Sequence, residues 1–312
     1  MTKARENSDY TGLAADIVAG DTAARAGRKN LIINGGMQVS QRGDYTSATA
    51  AVHDGFWLDR WVDSMGTVTA NRHHKLNQVV DGITTNSARL EATSNASGYL
   101  QFSQKVEELT ACLGREVTMS VWVKSNYAVN LYFYNGISQV AYSAKHPADG
   151  QWHRMTLSLT VPTNSTQNKC FVSTYDGAVS AIAIGDYFEV ALFQLELGSV
   201  ATDFEHRSYG EELALCQRYY QRWDYFDTFP VVRYSAAAGN AFGTLQYYVP
   251  MRVTPTATHG GTWRTTAGFD SVGGTTAFAA HIRVGTTNDA GANECRYLES
   301  NPDGFITAEA EL

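Results

Sequence analysis

The stretch DYFEVALFQLELGSVATDFEHRSYGEELALCQRYYQRW, from Asp186 to Trp223, sets the plan of the chain. Its first part is apolar at alternate positions on both sides, with one side carrying Phe188, Val190 and Leu192 and the other carrying Ala191, Phe193 and Leu195. A strand with two apolar faces is buried on both of them. This part therefore predicts the central strand of a packed sheet.

A helix is predicted after the turn at Gly198, over residues 208–223. Ser208 is a suitable N-cap, and Glu211 three residues later completes a capping box. Apolar side chains then recur at spacings of three and four, which predicts one buried stripe made of Leu213, Cys216, Tyr220 and Trp223. We expect this helix to join two β-rich parts of the chain, with Tyr220 and Trp223 packed against the first part.

Strand signals recur at regular intervals through residues 30–207. Runs such as GYLQFSQKV (98–106), VTMSVWVKS (117–125) and WHRMTLSLTV (152–161) are separated by Gly, Asn and Asp. Short strands at this spacing predict an all-β sandwich. Residues 224–312 contain further alternating segments linked by glycine turns, and they predict a smaller C-terminal β-module.

Several short motifs surround these elements. Within the opening stretch they are Gln194–Glu196, Gly198, Ala201–Thr202, Phe204–Glu205, Glu211–Glu212 and Cys216–Tyr220. Elsewhere they are NLIINGGMQVSQRG (Asn30–Gly43), DRW (Asp59–Trp61) and the closing TAEAEL (307–312). Together they resemble tail-fibre and head-fibre proteins of tailed bacteriophages, which typically read QLE-x-G-x-x-AT-x-FE, an acidic pair and then CQRYY. Asp203 is a departure, because these proteins more often have proline there.

This resemblance implies a structural virion protein, made in the host cytoplasm and exposed on the particle surface. Fibre proteins of this kind usually attach through their N-termini and assemble as homotrimers. Residues 1–29 are polar and alanine-rich, with a short apolar stripe of Leu13, Ile17 and Val18. Two hypotheses stay open for them: a disordered tail, or an attachment segment that folds on docking to other virion proteins or sister chains.

The strands VTMSVWVKS and QWHRMTLSLTVP, with a tyrosine-rich strand between them, also resemble the jelly-roll carbohydrate-binding modules of many glycoside hydrolases. This second resemblance implies a jelly-roll topology for residues 30–207. Carbohydrate binding follows from it by analogy of fold alone.

Composition excludes several kinds of partner. The net charge of −7 argues against a nucleic-acid-binding surface, which needs a basic stripe. Apolar runs do not reach the roughly 18–20 residues of a membrane span, so we expect no membrane insertion. The four cysteines are far apart and lack metal-ligand spacing, so free buried thiols and no metal or other cofactor are expected.

Catalysis finds little support in the sequence. The histidines are scattered, and the sequence contains no HExxH, G-x-S-x-G, P-loop or dinucleotide fingerprint. Carboxylate pairs able to cleave a glycan occur in phage depolymerases, but those enzymes usually carry long β-helix repeats, and the sequence shows no internal repeat. We therefore expect a protein that is not an enzyme.

Candidate ligand-binding residues come from alternation in two strands. Trp122 and Lys124 share the polar side of VTMSVWVKS, while Asn130, Tyr132 and Tyr134 share the polar side of VNLYFYNG. An exposed aromatic row suits stacking on the C–H face of sugar rings, with Lys124 and Asn130 bonding to hydroxyls. The alternative is that the C-terminal module, a helix or a neighbouring subunit covers this row.

These observations favour a structural and adhesive appendage protein that binds a host surface polysaccharide. A purely architectural connector or decoration protein is one alternative, and it would bury the aromatic row between subunits. A glycan-cleaving spike is the other.

Overall fold

In a computed structural model of the chain, the described residues are 29–107, 109–224, 229–232, 240–261, 269–273, 276, 278–285, 295–298 and 303–312. The predicted N-terminal attachment segment lies outside the described residues except for Lys29. The chain divides into two compact units between Ser208 and Tyr209.

The described part of the first unit contains fourteen strands and one short helix, α1 (Leu109–Cys112). The strands are β1 (Thr49–Ala50), β2 (Gly55–Phe56), β3 (Val62–Met65), β4 (Ala70–Val80), β5 (Ile83–Ala92), β6 (Ala96–Gly98), β7 (Leu100–Val106), β8 (Glu116–Ser125), β9 (Asn130–Tyr134), β10 (Gln139–Tyr142), β11 (Trp152–Thr160), β12 (Asn168–Ser173), β13 (Ser180–Ile182) and β14 (Tyr187–Leu197).

Two six-stranded antiparallel sheets and one two-stranded sheet, β13-β6, make up this unit. Sheet 1 has the strand order β1-β4-β5-β14-β8-β11, and sheet 2 has the order β10-β9-β12-β7-β3-β2. The inner faces share one core, in which Trp61 stacks on Phe102 at a centroid distance of 4.5 Å and contacts Phe193 at 5.0 Å. The predicted all-β, jelly-roll sandwich is confirmed, and its central strand is β14, as the opening stretch predicts.

The faces of β14 differ from the predicted alternation. A β-bulge shifts the register between Ala191 and Gln194, and Leu192 has a φ of +52°. Phe193 therefore turns into the core, while Ala191 and Leu192 both join a small apolar cluster outside sheet 1. The expectation that Leu192 shares a face with Phe188 and Val190 is wrong, because the extra residue in the bulge reverses the alternation after it.

The second unit contains a helix, α2 (Tyr209–Gln217), followed within the described residues by eight strands. They are β15 (Tyr220–Asp224), β16 (Phe229–Val232), β17 (Asn240–Gln246), β18 (Thr256–Gly260), β19 (Phe269–Gly273), β20 (Ala279–Gly285), β21 (Cys295–Leu298) and β22 (Phe305–Glu309). One sheet has the order β15-β22-β18 and the other the order β19-β20-β17-β16-β21. Neither helix in the described part of the chain is long and apolar enough to cross a membrane.

The helix predicted over residues 208–223 is too long. It ends at Gln217, and Tyr220 and Trp223 lie in β15, which pairs with β22 along its whole length. Both side chains are buried, but in a strand of the second unit rather than along a helical stripe. Aromatic residues favour strands, and pairing with a distant strand here outweighs the local 3.6-residue pattern.

Motif residues from β14, from the segment after it and from the start of the described chain form a hydrogen-bond network. We call this network the polar clamp; its members are Asn30, Gln194, Glu196, Thr202 and Glu205. Glu196 is buried, and its carboxylate accepts hydrogen bonds from Gln194 Nε2 at 2.9 Å and from the backbone N and Oγ1 of Thr202 at 2.8 and 2.6 Å. Gln194 Oε1 in turn accepts from the backbone N of Glu205 at 2.8 Å. The clamp thus fixes residues 199–207 against β14.

The clamp also fixes the start of the described chain. The Glu205 carboxylate accepts from the backbone N of Lys29 and of Asn30 at 3.1 and 2.6 Å. The Asn30 amide accepts from the backbone N of Leu195 at 3.1 Å and donates to the carbonyl of Phe193 at 3.0 Å. Residues 30–35 therefore run along β14 and are bonded to it by the Asn30 side chain and by backbone hydrogen bonds.

Asn34 continues this arrangement into the core. Its Oδ1 accepts from the backbone N of Gln38 and of Val39 at 2.8 and 2.9 Å, and its carbonyl accepts from Trp61 Nε1 at 2.9 Å. At the adjacent Gly35, an added Cβ would lie 2.1 Å from the carbonyl oxygen of Phe193. The NLIINGG motif therefore serves a close backbone approach and orients a core tryptophan.

Replacing the buried carboxylate of the clamp tests its importance for stability. We expect Glu196→Ala to cost about 2–4 kcal/mol, because it removes the acceptor of three hydrogen bonds, one of them from the fully buried Gln194 amide. Urea unfolding is the measurement, and Glu116→Ala on neighbouring β8 is the matched control, since that glutamate is exposed and should cost less than about 0.5 kcal/mol. Equal unfolding midpoints for the two variants would contradict the role of the clamp.

A buried aspartate–arginine pair lies inside the sandwich. Asp63 on β3 is fully buried, and Nη1 of Arg72 on β4 is 3.8 Å from its Oδ1, too far for a hydrogen bond. The Arg72 guanidinium also lies over the Tyr45 ring at 4.9 Å. Burial raises the pKa of Asp63 from 3.8 to about 7, and the opposing effect of the Arg72 charge is smaller.

This shift predicts how stability depends on pH. Because the folded chain binds the Asp63 proton more tightly than the unfolded chain, its stabilising contribution is complete below about pH 4 and is lost as the pH rises through about 7. Asp63→Asn should remove this dependence between pH 5 and 8, as measured by urea unfolding at both pH values. The exposed Asp203→Asn is the control, and an unchanged dependence in Asp63→Asn would count against the shift.

Candidate functional site

The five predicted ligand residues do not form one row. Trp122 and Lys124 lie on β8 in sheet 1, whereas Asn130, Tyr132 and Tyr134 lie on β9 in sheet 2. The apolar positions of both strands face the shared core, so their alternate positions point to opposite outer sides of the sandwich. The prediction of a single aromatic row is wrong, because the chain crosses between sheets after Ser125 instead of forming a hairpin.

Sheet 2 carries an aromatic surface whose side chains come from three strands and from two residues next to strands. Phe171 on β12 pairs with Tyr132 on β9, and Tyr132 pairs with Tyr142 on β10. On the same side, Tyr134 follows along β9, Tyr99 precedes β7 and Tyr175 follows β12. We call this surface the tyrosine face; its members are Tyr99, Tyr132, Tyr134, Tyr142, Phe171 and Tyr175.

The centre of the tyrosine face is packed and its margin is open. Tyr132 stacks on Phe171 with centroids 4.2 Å apart and contacts Tyr142 at 5.6 Å. Tyr132 is only 3% exposed and Phe171 6%, while Tyr142 is 37% exposed. Tyr99 and Tyr175 are half-buried and meet edge to face at 6.1 Å. A ligand would therefore contact Tyr142 and the half-buried tyrosines, with Tyr132 as support beneath them.

Burial favours the neutral form of the Tyr132 and Tyr142 hydroxyls. Burial raises the pKa of Tyr132, with the nearby Tyr142 adding to the effect and a hydrogen bond to the Gln101 side chain opposing it. Burial also raises the pKa of Tyr142, assisted by Tyr175 and the negative charge of Asp176. Neutral phenols can donate to and accept from the hydroxyls of a sugar.

Charged groups flank the aromatic side chains. The ammonium of Lys169 lies 4.8 Å from the centroid of Phe171, and burial lowers the pKa of Lys169. Lys145 forms an ion pair with Asp176 at the side near Tyr142 and Tyr175. The surface thus combines apolar rings with both donors and acceptors, as small-molecule binding sites do.

Asn130 and Lys124 are separated from this surface. Asn130 is 2% exposed, and its amide nitrogen donates to the carbonyls of Ser173 and Tyr175 at 3.1 and 3.0 Å. It therefore orders the end of β12 rather than offering an amide to a ligand. Lys124 lies beside Glu189 of β14 on the opposite side of the sandwich.

Sequence reasoning missed Tyr142, Phe171, Tyr99 and Tyr175 as members of the site. Alternation alone places Tyr99 and Leu100 on different sides of their strand, and it places Phe171 and Tyr175 on the same side of KCFVSTYDG. That signal identifies the side of each strand, but the order β10-β9-β12-β7 comes from pairings between segments far apart in sequence. The individual surfaces were accessible to prediction, and their assembly was not.

One group of side chains in the described part of the chain has the composition of a metal site. Ligand atoms of His146, Asp149 and His153 lie within 4.8 Å of one another. Both ring nitrogens of His146 already have partners: Nε2 faces the carbonyls of Val123 and Gln151, and Nδ1 accepts from the backbone N of Ala148 at 3.0 Å. His153 Nε2 lies 2.9 Å from the Asp149 carboxylate. A metal ion would have to displace these bonds, so the group fits a local hydrogen-bond cluster better.

The packing of the tyrosine face predicts which residues are needed for folding. Tyr132→Ala should cost about 3–5 kcal/mol, because it removes a buried ring stacked on Phe171. Tyr142→Ala at the exposed margin should cost less than about 1 kcal/mol. Thermal and urea unfolding of the two variants measure the difference, and a fully stable Tyr132→Ala would contradict the packed centre described here.

The sequence matches no protein-family model and no curated protein. Among solved structures, the enzymatically active domain of tailspike protein 4 from bacteriophage CBA120 is 17% identical over 54% of this chain, with a TM-score of 0.37. A family 61 carbohydrate-binding module in complex with β-1,4-galactotriose is 14% identical over 55% (TM-score 0.34), and the family 11 module of a Clostridium thermocellum cellulase is 12% identical over 52% (TM-score 0.29). The match covers 21% of the tailspike chain and 100% of each of the two modules.

Proposed function

We propose that the protein binds a cell-surface glycan through the tyrosine face and serves as an adhesive component of a bacteriophage appendage. The observation that carries the binding proposal is the tyrosine face itself, in which neutral phenols and flanking charges surround a rigid aromatic centre. The apolar face of a sugar ring stacks on such rings, while its hydroxyls bond to the polar groups at the margin.

The virion assignment is supported by the motifs shared with phage fibre proteins. These include the polar clamp and the NLIINGG segment, which build the sandwich and do not belong to the tyrosine face. On this proposal the N-terminal segment attaches the protein to other virion proteins, three copies assemble, and the tyrosine faces are exposed on the particle. No catalytic role is included in the proposal.

Weak individual sites fit such an assembly. A stacking contact is worth about 1 kcal/mol, so one tyrosine face binds its glycan weakly. Several faces on one particle raise the overall avidity through effective concentration, by up to about 10²–10⁴-fold. The orientation of Tyr142 at the open margin makes it the side chain whose loss should matter most without harming the fold.

A glycan array with the purified full chain tests the binding proposal. We expect the wild-type protein to bind a defined class of glycan, and Tyr142→Ala to weaken that binding roughly five- to tenfold. Tyr209→Ala is the matched control, because Tyr209 is an exposed tyrosine in the second unit, and it should bind like the wild type. Glycan binding that is absent, or that is insensitive to Tyr142→Ala, would contradict the proposal.

One observation also fits the architectural alternative: Tyr142 is 37% exposed, and an exposed ring can pack against another subunit as well as against a sugar. Analytical ultracentrifugation of Tyr142→Ala separates the two functions. If this variant loses subunits relative to the wild type, the tyrosine face is a subunit contact and the connector function is favoured. Release of reducing ends from a bound polysaccharide would instead indicate a glycan-cleaving spike.

A further inference from the structure

We propose that a cleft on the outer side of sheet 1 is a second sugar-binding site, separate from the tyrosine face. The cleft has a volume of about 350 Å³, and its lining includes Trp122, Leu192, Phe204, Asp81, Arg154 and Asp203. We call it the Trp122 cleft. It lies on a different sheet from the tyrosine face and shares no lining residue with it.

Strand register builds the floor of the Trp122 cleft. Trp122 on β8 pairs with Ala191 of β14 on one side and with Arg154 of β11 on the other. Ala191 is fully buried, whereas Trp122 and Arg154 both line the cleft. The half-buried indole is therefore accessible from the outer side, next to a guanidinium group.

The β-bulge completes the apolar part of the floor. Leu192 has a φ of +52°, a conformation that costs a side-chain-bearing residue about 1–2 kcal/mol. This conformation places Leu192 in the same outer cluster as Ala191 and Trp122. Regular alternation would instead turn the Leu192 side chain into the core. The chain thus maintains a strained backbone at the point where Leu192 joins the apolar lining of the cleft.

The opposite wall belongs to the segment that the polar clamp fixes. Thr202 is bonded to Glu196, and the Arg154 guanidinium donates to the carbonyl of Thr202. Phe204 follows and meets His206 edge to face at 5.0 Å. The floor and this wall are therefore positioned by hydrogen bonds and packing before any ligand binds, which lowers the entropic cost of binding.

The chemistry of the lining fits a sugar better than an anion or a purely apolar ligand. Indole and phenyl rings offer apolar contact, Asp81 and Asp203 accept hydrogen bonds, and Arg154 donates them. Charges of both signs disfavour a simple anion, and the charged rim disfavours a hydrocarbon. A volume of about 350 Å³ is near the lower end of small-molecule sites, so the cleft suits a terminal sugar residue rather than a long chain.

The test uses NMR of the indole N–H groups in the full-length protein, with methyl glycosides of glucose, galactose, mannose and N-acetylglucosamine as probes. Trp122→Phe assigns the Trp122 signal, and the titrations are repeated in Tyr142→Ala, which weakens the tyrosine face. We expect at least one glycoside to shift the Trp122 signal saturably in both proteins. Asp203→Asn should weaken this binding by roughly fivefold. Trp152→Phe, next to the cleft but outside its lining, should leave it unchanged.

Two outcomes would overturn the proposal. One is that no glycoside shifts the Trp122 signal at tens of millimolar concentrations. The other is that a synthetic peptide of residues 1–28 shifts the signal where the glycosides do not, which would make the cleft a docking site for that segment. Loss of array binding in Tyr142→Ala with an unchanged Trp122 response would support both sites independently.

Discussion

The buried carboxylate of Glu196 is the interaction on which the rest of the first unit depends. A carboxylate inside a protein is costly unless donors surround it, and here the Gln194 amide and both polar groups of Thr202 supply them. Through Gln194 and Glu205 the same network reaches Asn30, so one cluster joins the start of the described chain to β14 and to residues 199–207. The start of the described chain and the segment that follows β14 are thereby both fixed to the central strand.

This arrangement explains what the recognisable motifs do. The QLE and AT-x-FE motifs supply the polar clamp, and NLIINGG supplies the close approach of Gly35 to β14 and the carbonyl that orients Trp61. These residues build the sandwich from inside. The tyrosine face and the Trp122 cleft instead consist mostly of residues outside the motifs, so a resemblance carried by the motifs informs about the scaffold more than about the ligand.

Local pattern predicted the strands well. The predicted run at 117–125 corresponds to β8 (Glu116–Ser125), and the run at 152–161 to β11 (Trp152–Thr160). Periodicity of two is a property of each strand alone, which is why it is readable from the sequence. The predicted helix extends too far, to Tyr220 and Trp223. These residues pair with β22, more than 80 positions away in sequence, and local periodicity cannot reveal such a pairing.

The site was harder to predict for the same reason. Which side of β9 carries Tyr132 follows from alternation, but its neighbours Phe171 and Tyr142 follow from sheet order, and its separation from Trp122 follows from a crossing between sheets. The bulge at Leu192 further limits prediction from alternation, because a single inserted residue reverses which face the later side chains of β14 occupy. Such features depend on the free energy of the whole packed sandwich and not on any one strand.

Hydrogen exchange read residue by residue tests the central claim most directly. If the polar clamp fixes the segment after β14, the amide protons of Thr202, Glu205 and Asn30 should exchange nearly as slowly as those inside β14, although all three lie outside regular strands. Exchange of these three amides at the rate of the exposed loop positions would contradict the account, because the clamp would then be open most of the time.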